Sequence, residues 1–195
     1  MKIVFLDRDG VINRFPGHGS YVTKIKDFHF LPGSLQALRS LTENGYKIFI
    51  ISNQAGVGRG IFSADKLKCI DAYMHRHVKR TGGKITRSFY CTHRSDEGCS
   101  CRKPEIGLIQ KAWHFLKASK ERSSSFFVGD MQKDIQTGHK AGVQTIFVRS
   151  GGEKPSHSID TWTVKPDFIV KDLKAAVEVI QHEDSSHSRN SRRRT

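Results

Sequence analysis

Apolar and polar positions along this chain fall into blocks. Residues 2–6, Lys-Ile-Val-Phe-Leu, form a short apolar run, and comparable runs recur at 47–51, 85–90, 125–128, 144–148 and 168–170. Each has strand length and most are rich in Ile, Val and Phe, which suits strands covered on both faces. Between them lie stretches whose apolar residues recur at helical spacing. Leu35, Leu38 and Leu41 follow Pro32-Gly33-Ser34 and stop before Gly45, the opening and closing signals of a helix. A second helix is predicted from a Ser63 cap to about residue 78, ahead of Gly82-Gly83. Others are predicted at 108–116, from 133 to Gly142, and at 173–181. Alternating strands and helices predict an α/β architecture around a mostly parallel sheet. Residues 13–27, with Pro16, Gly17 and Gly19, and residues 149–166 read as connections, the first long enough to line a site.

The first run leads straight into Asp7-Arg8-Asp9-Gly10. In an extended segment alternate side chains share a face, so Asp7 and Asp9 are expected to point together and Arg8 away. Two carboxylates in one small volume call for a cation, a shared proton or separate tasks. Three further segments complete the picture: Ser52-Asn53-Gln54-Ala55 after the second run, Arg102-Lys103-Pro104, and Gly129-Asp130 with Asp134 after the fourth. Ligands of open α/β sheets sit at the carboxyl ends of strands, where these segments can meet. Read singly, Ser52 is also a plausible helix cap, Asp130 and Asp134 helix-start residues, and Lys103 a surface charge.

Together and in this order, the segments resemble the haloacid dehalogenase superfamily. That resemblance implies a Rossmann-like three-layer sandwich with a minimal cap and phosphoryl transfer through a carboxylate nucleophile. Asp7 would attack phosphorus, and Asp9 would protonate the leaving oxygen and later deprotonate water. Ser52 would bond a phosphoryl oxygen, and Lys103 would place a point charge on the phosphate and on Asp7. Mg²⁺ would be held by carboxylates of Asp7 and Asp130, with the backbone carbonyl of Asp9 added by the resemblance. Asp134 would sit behind them, holding Lys103 or a metal-bound water.

Cys91-x-His93, five residues, then Cys99-x-Cys101 offers three thiolates and an imidazole, a closed tetrahedral shell for structural Zn²⁺. Disulfides are the competing reading. Cys69, within the second predicted helix, reads as a buried thiol. Zinc would stiffen the loop that ends immediately before Arg102 and Lys103. This spacing, followed by Arg-Lys-Pro, is similar to the zinc-containing members of the superfamily, the D-glycero-D-manno-heptose 1,7-bisphosphate 7-phosphatases and the histidinol-phosphatases. Ser52-Asn-Gln-Ala-Gly-Val-Gly-Arg-Gly60 and Phe30-Leu-Pro-Gly33 resemble the heptose group. The implied substrate is a small phosphorylated sugar that loses its 7-phosphate in lipopolysaccharide and other surface-glycan synthesis. Substrate contacts would come from Asn53, Gln54, Ala55, Arg102 and Lys103, with Ser20 and Tyr21 joining from the first loop. Two departures stand out: Met131 occupies a position where that group often has Lys, and residues 13–21 form a longer loop than usual.

Composition adds limits. The 195 residues, 36% hydrophobic and 27% charged, suit one domain with a sizeable core. No apolar run reaches the roughly 18 residues of a membrane span, and no signal peptide is apparent, so the expectation is a cytoplasmic monomer with no membrane partner. Net charge is +14, of which four Arg lie in residues 185–195. Residues 1–183 are therefore expected to form the phosphatase domain, and 184–195 a basic disordered tail. A basic zinc-stabilised nucleic-acid-binding protein is the alternative from another class, but the spacing matches no DNA-reading finger, so nucleic acid is not the expected partner.

Overall fold

The six apolar runs are the six strands, and every pairing between them is parallel. A computed structural model describes residues 1–117, 125–152 and 159–192. Its strands are β1 (Ile3–Leu6), β2 (Lys47–Asn53), β3 (Ile85–Cys91), β4 (Ser125–Gly129), β5 (Gln144–Val148) and β6 (Phe168–Val170), in the spatial order β3-β2-β1-β4-β5-β6. Among the described residues five α-helices cover them: α1 (Ser34–Glu43), α2 (Ala64–Arg80), α3 (Gly107–Phe115), α4 (Gln132–Ala141) and α5 (Leu173–Arg192).

Strand periodicity divides the apolar residues between two faces. Val4, Leu6, Ile48, Ile50, Phe126 and Val128 pack with Leu38 and Leu41 of α1, Ile70 and Met74 of α2, and Ala176 and Ile180 of α5. Ile3, Phe5, Phe49, Ile51 and Phe127 face the other way, against Leu108, Ile109 and Ala112 of α3. Ile135 of α4 closes a smaller cluster with Phe147 and Trp162. This is the expected three-layer sandwich, with a sheet that is parallel throughout.

The connection from β3 returns the chain to the far side of β1, where it forms β4. Strand order therefore reverses between β1 and β4, and the crevice outside their carboxyl ends is where ligands of such sheets bind. Asp7 follows β1 and Asp130 follows β4, and the Asp7 N–H donates to the Val128 carbonyl at 3.0 Å. Ser63 caps α2 as expected, its Oγ accepting the Lys66 N–H at 3.2 Å.

Two expectations fail. Cys69 is exposed, because α2 buries Leu67, Ile70, Met74 and Val78 and residue 69 lies off that stripe. The last helix does not stop near residue 181; it runs to Arg192, and residues 193–195 of the expected tail lie outside the described residues. No Gly or Pro interrupts residues 173–192, and each added residue contributes a backbone bond at little nucleation cost. Asp184 anchors the extension, accepting from the Tyr46 hydroxyl and from Lys2 Nζ at 2.9 Å. Burial, followed by the bond to Asp184, pushes the Tyr46 phenol well above its usual range, so it remains a donor. No helix among the described residues is long and apolar enough to cross a membrane.

Ending the chain after Gln181 removes these anchors, an expected loss of roughly 1 kcal/mol, which lowers Tm by roughly 2–4 °C. Thermal melting checks this; an unchanged Tm would show that the extension stabilises nothing.

Candidate active site and a cysteine–histidine cage

Four segments converge on Asp7. Asn53, at the end of β2, clasps the backbone of Lys103: its Nδ2 donates to the Lys103 carbonyl at 3.2 Å and its Oδ1 accepts the Lys103 N–H at 3.1 Å. The lysine side chain is thereby directed inward, where Nζ lies 3.0 Å from Asp7 Oδ1 and 2.6 Å from Asp134 Oδ1. Asp134 sits in the first turn of α4, and its Oδ2 accepts the Met131 N–H at 3.0 Å. Asp7, Lys103, Asp130 and Asp134 are all buried. Burial opposes the Lys103 charge, but Asp134 and Asp7 outweigh it and hold the ammonium above its ordinary range.

The acids are short of positive charge. Three carboxylates, whose oxygens lie within 4.8 Å of one another, face one ammonium. Burial, then the charges of Asp134 and Asp7, push the Asp130 carboxyl well above the carboxylate range. Asp130 Oδ2 accepts the Gly152 N–H at 2.7 Å, whereas the buried Oδ1 has no hydrogen-bond partner among the described residues. Both Asp134 oxygens are engaged by Lys103 and Met131. Asp7 and Asp130 are thus the carboxylates free to take a hard cation such as Mg²⁺, and Asp134 lies behind them. Gly10 makes room for this: its φ is +85°, and a Cβ there would stand 2.2 Å from Asp130 Oδ2.

Beside the cluster opens a pocket of about 220 Å³. Asp7, Asp9, Ser52, Asn53, Ala55 and Arg102 line it, and Ser20 and Tyr21 reach it from the first loop, as the sequence led us to expect. Lys103 stands outside the lining, as the buried partner of Asp7. Gln54 departs from expectation: its side chain is buried, and Nε2 donates to Asp9 Oδ2 at 2.9 Å and to Ser52 Oγ at 3.4 Å. Asp7 and Asp9 share the pocket and Arg8 lies outside its lining, as expected; what alternation does not give is that β1 ends at Leu6 and the buried Arg8 guanidinium folds onto the Asp9 carboxylate at 2.9 Å.

Phe15, His18, Arg59, Met131 and Lys133 also line the pocket. The sequence reading missed Arg59 and Lys133 as site residues, and their only local signal is a cation next to a motif, Gly58-Arg59-Gly60 and Asp130-x-x-Lys133. No ion pair to Arg59, Arg102 or Lys133 occurs among the described residues, which leaves three cationic groups for an anion.

Cys91, His93, Cys99 and Cys101 come together on the loop that delivers Lys103. Cys91 Sγ lies 3.6 Å from His93 Nδ1, 3.6 Å from Cys99 Sγ and 3.3 Å from Cys101 Sγ. Cys101 Sγ is 3.2 Å from His93 Nδ1 and 3.6 Å from Cys99 Sγ. A disulfide needs sulfurs about 2.0 Å apart, and the three cage thiols are free. Ligands placed about 2.0–2.3 Å from one tetrahedral ion have edges near these distances. Burial pushes the Cys91 thiol up to about 12. Burial alone would raise the Cys99 thiol, but hydrogen bonds from the Cys101 backbone and thiol, the Arg102 N–H and the Cys91 thiol together bring it down to about 7. A soft cation would hold the buried thiols as thiolates, and the donor set fits Zn²⁺.

Comparison with known proteins agrees with this geometry. Residues 100–176 match the HAD-hydrolase-like family. The chain is 31% identical to the D-glycero-beta-D-manno-heptose-1,7-bisphosphate 7-phosphatase of Pseudomonas putida, over 90% of this chain and 97% of that one. It is 36% identical to the D-glycero-alpha-D-manno-heptose-1,7-bisphosphate 7-phosphatase of Photorhabdus laumondii, over 80% and 86%. Among solved structures, the D,D-heptose 1,7-bisphosphate phosphatase of B. bronchiseptica, crystallised with magnesium and phosphate, superposes with a TM-score of 0.84 at 31% identity, covering 94% of this chain and 99% of that one. With the fold, the acidic cluster and the full-length similarity in agreement, the chain belongs to the heptose-1,7-bisphosphate 7-phosphatase family of HAD-like hydrolases.

Proposed function

We propose that the protein hydrolyses the 7-phosphate of D-glycero-D-manno-heptose 1,7-bisphosphate, releasing phosphate and the 1-phosphate. The observation that supports this most directly is the pocket's polarity: a carboxylate nucleophile paired with a buried lysine at one side, and Arg59, Arg102 and Lys133 among the other lining residues. Such a pocket suits a small substrate that carries a second anionic group.

The Asp7 side chain is oriented for attack. Oδ1 accepts the Arg8 N–H at 2.7 Å and faces Lys103, and Oδ2 carries no hydrogen bond among the described residues, so it can approach phosphorus. A new Asp7 Oδ2–P bond forms as the P–O bond to the sugar breaks, and the departing oxygen takes a proton from Asp9. A water then loses its proton to Asp9 and attacks phosphorus, and the Asp7–phosphorus bond breaks. Ser52 donates to a phosphoryl oxygen and Lys103 holds Asp7 through both steps. Asp7, Asp130 and the Asp9 carbonyl would hold Mg²⁺, which supplies neutralising charge at the transferred phosphoryl group when bound. Cys91, His93, Cys99 and Cys101 would hold a structural Zn²⁺ that fixes the loop presenting Arg102 and Lys103. The protein acts in this reading as a cytoplasmic monomer, and its product feeds nucleotide-activated heptose for surface glycans. Asn53 serves mainly through its clasp on Lys103.

Asp7→Asn should lower kcat by at least roughly 10³-fold with the far-ultraviolet circular dichroism unchanged; near-normal turnover would rule out the aspartyl-phosphate route. Chelating zinc should speed hydrogen exchange across residues 91–103 and lower activity in parallel. If exchange there stays slow in zinc-free protein, the loop does not depend on the metal. The substrate assignment is tested by kcat/KM for both anomers of the bisphosphate against histidinol phosphate. A clear preference for one bisphosphate anomer, with the 1-phosphate retained, is expected, and a preference for histidinol phosphate would replace the substrate.

A further inference from the structure

Asp9 is held by more donors than its exposure requires. Its side chain is 14% exposed, while the Arg8 side chain beside it is fully buried. Asp9 Oδ1 accepts from Arg8 Nε at 3.1 Å, Arg8 Nη2 at 3.0 Å and Asn13 Nδ2 at 2.8 Å. Oδ2 accepts from Arg8 Nη2 at 2.9 Å and Gln54 Nε2 at 2.9 Å. With both oxygens gripped from three side chains, the carboxyl plane is fixed relative to Asp7 and the pocket.

The grip is itself anchored. The Arg8 guanidinium lies 5.8 Å from the centre of the Tyr90 ring, and the Tyr90 hydroxyl donates to Asp71 of α2 at 2.6 Å. Asn13 Nδ2 also bonds the Arg14 carbonyl at 2.9 Å. Arg8 Nη1, Asn13 Oδ1 and Gln54 Oε1 are buried and have no hydrogen-bond partner among the described residues. Buried polar atoms left in this way oppose folding, so stability alone does not explain why three such side chains surround one carboxylate.

We infer that Arg8, Asn13 and Gln54 form a collar that fixes the plane of the Asp9 carboxyl group for proton transfer: the grip as it stands is on the carboxylate, and the proton Asp9 passes to the leaving oxygen sits on Oδ2 in place of the Gln54 bond, while Arg8 and Asn13 hold Oδ1. None of the three touches the substrate; Arg8 and Asn13 act through Asp9, and Gln54 acts through Asp9 with a longer contact to Ser52 Oγ. The inference rests on the proposed role of Asp9 as proton donor and goes beyond it by naming the groups that aim the donor. It also gives Gln54, expected from sequence to touch substrate, a different task.

Leaving-group dependence separates positioning from general damage. A sugar hydroxyl is a poor leaving group and needs its proton, whereas p-nitrophenolate leaves without one. For the holoenzyme, kcat/KM would be measured with the heptose bisphosphate and with p-nitrophenyl phosphate, for wild type, Asp9→Asn, Arg8→Met and Gln54→Met. General acid catalysis contributes roughly 10²–10⁴-fold. Arg8→Met should therefore lose roughly 10²-fold or more on the sugar and less than roughly 10-fold on the aryl ester, matching the pattern of Asp9→Asn. Arg8→Lys should not restore the sugar reaction, because an ammonium cannot fork onto a carboxylate. Gln54→Met removes one donor from Asp9 and the longer contact to Ser52 Oγ, so the ratio of its losses on the two substrates, still larger on the sugar but smaller than for Arg8→Met, carries the test if Arg8→Met does not fold. Equal losses on both substrates for the collar variants, with selective loss in Asp9→Asn, would overturn the collar alone. Equal losses in Asp9→Asn itself would overturn the proton-donor role and the collar with it.

Discussion

The ion pair between Lys103 and the two aspartates, Asp7 and Asp134, is the constraint on which the site depends. An ammonium this deeply buried persists only when paired, and removing one partner strands the other charge. Meeting that demand fixes four pieces of chain: the end of β1, the Asn53 clasp at the end of β2, the loop carrying Lys103, and the first turn of α4. Asp130 then adds a charge that the lysine cannot also neutralise. The surplus of negative charge is what makes the crevice a place for a divalent cation, and Gly10 and Gly152 keep Asp130 within reach of it.

Around this core the protein separates rigidity from recognition. The cysteine–histidine cage lies outside the pocket lining and is linked to it through Arg102, the next residue in the chain. In the pocket's lining Ser20 and Tyr21 meet Arg59, Arg102 and Lys133. Lys133 is of particular interest because Met131, two positions before it, cannot contribute charge. A cation from the same helix terminus reaches the same pocket. The net charge of +14 is of the sign that steers anions toward a protein surface.

Much of the architecture was legible in the sequence because parallel strands buried on both faces read as unbroken apolar runs; β1, β2 and β4 are the clearest. The acidic cluster and the cage were legible for a different reason, since their chemistry needs fixed residue types directly after strands or at ligand spacing. The Arg8–Asp9 pair was not legible because alternation says nothing beyond Leu6, where the strand ends. Gln54 was misread because its neighbours Asn53 and Ala55 do line the pocket, and a turn can bury one residue between two exposed to the site. The length of α5 was hidden by its composition: nothing after Ile180 continues an apolar stripe, and the anchors of the extension, Tyr46 and Lys2, lie far away in sequence.

The central claim is that Asp7 carries the phosphoryl group. Acid quenching during steady-state turnover of the heptose bisphosphate, followed by borohydride reduction and peptide mass spectrometry, tests it directly, since an acyl phosphate is reduced to the alcohol. The account predicts homoserine in place of Asp7 in a fraction of the protein and no reduction in enzyme quenched without substrate. Homoserine at Asp9 or Asp130 with Asp7 intact, or no reduction at any carboxylate under turnover, would contradict it.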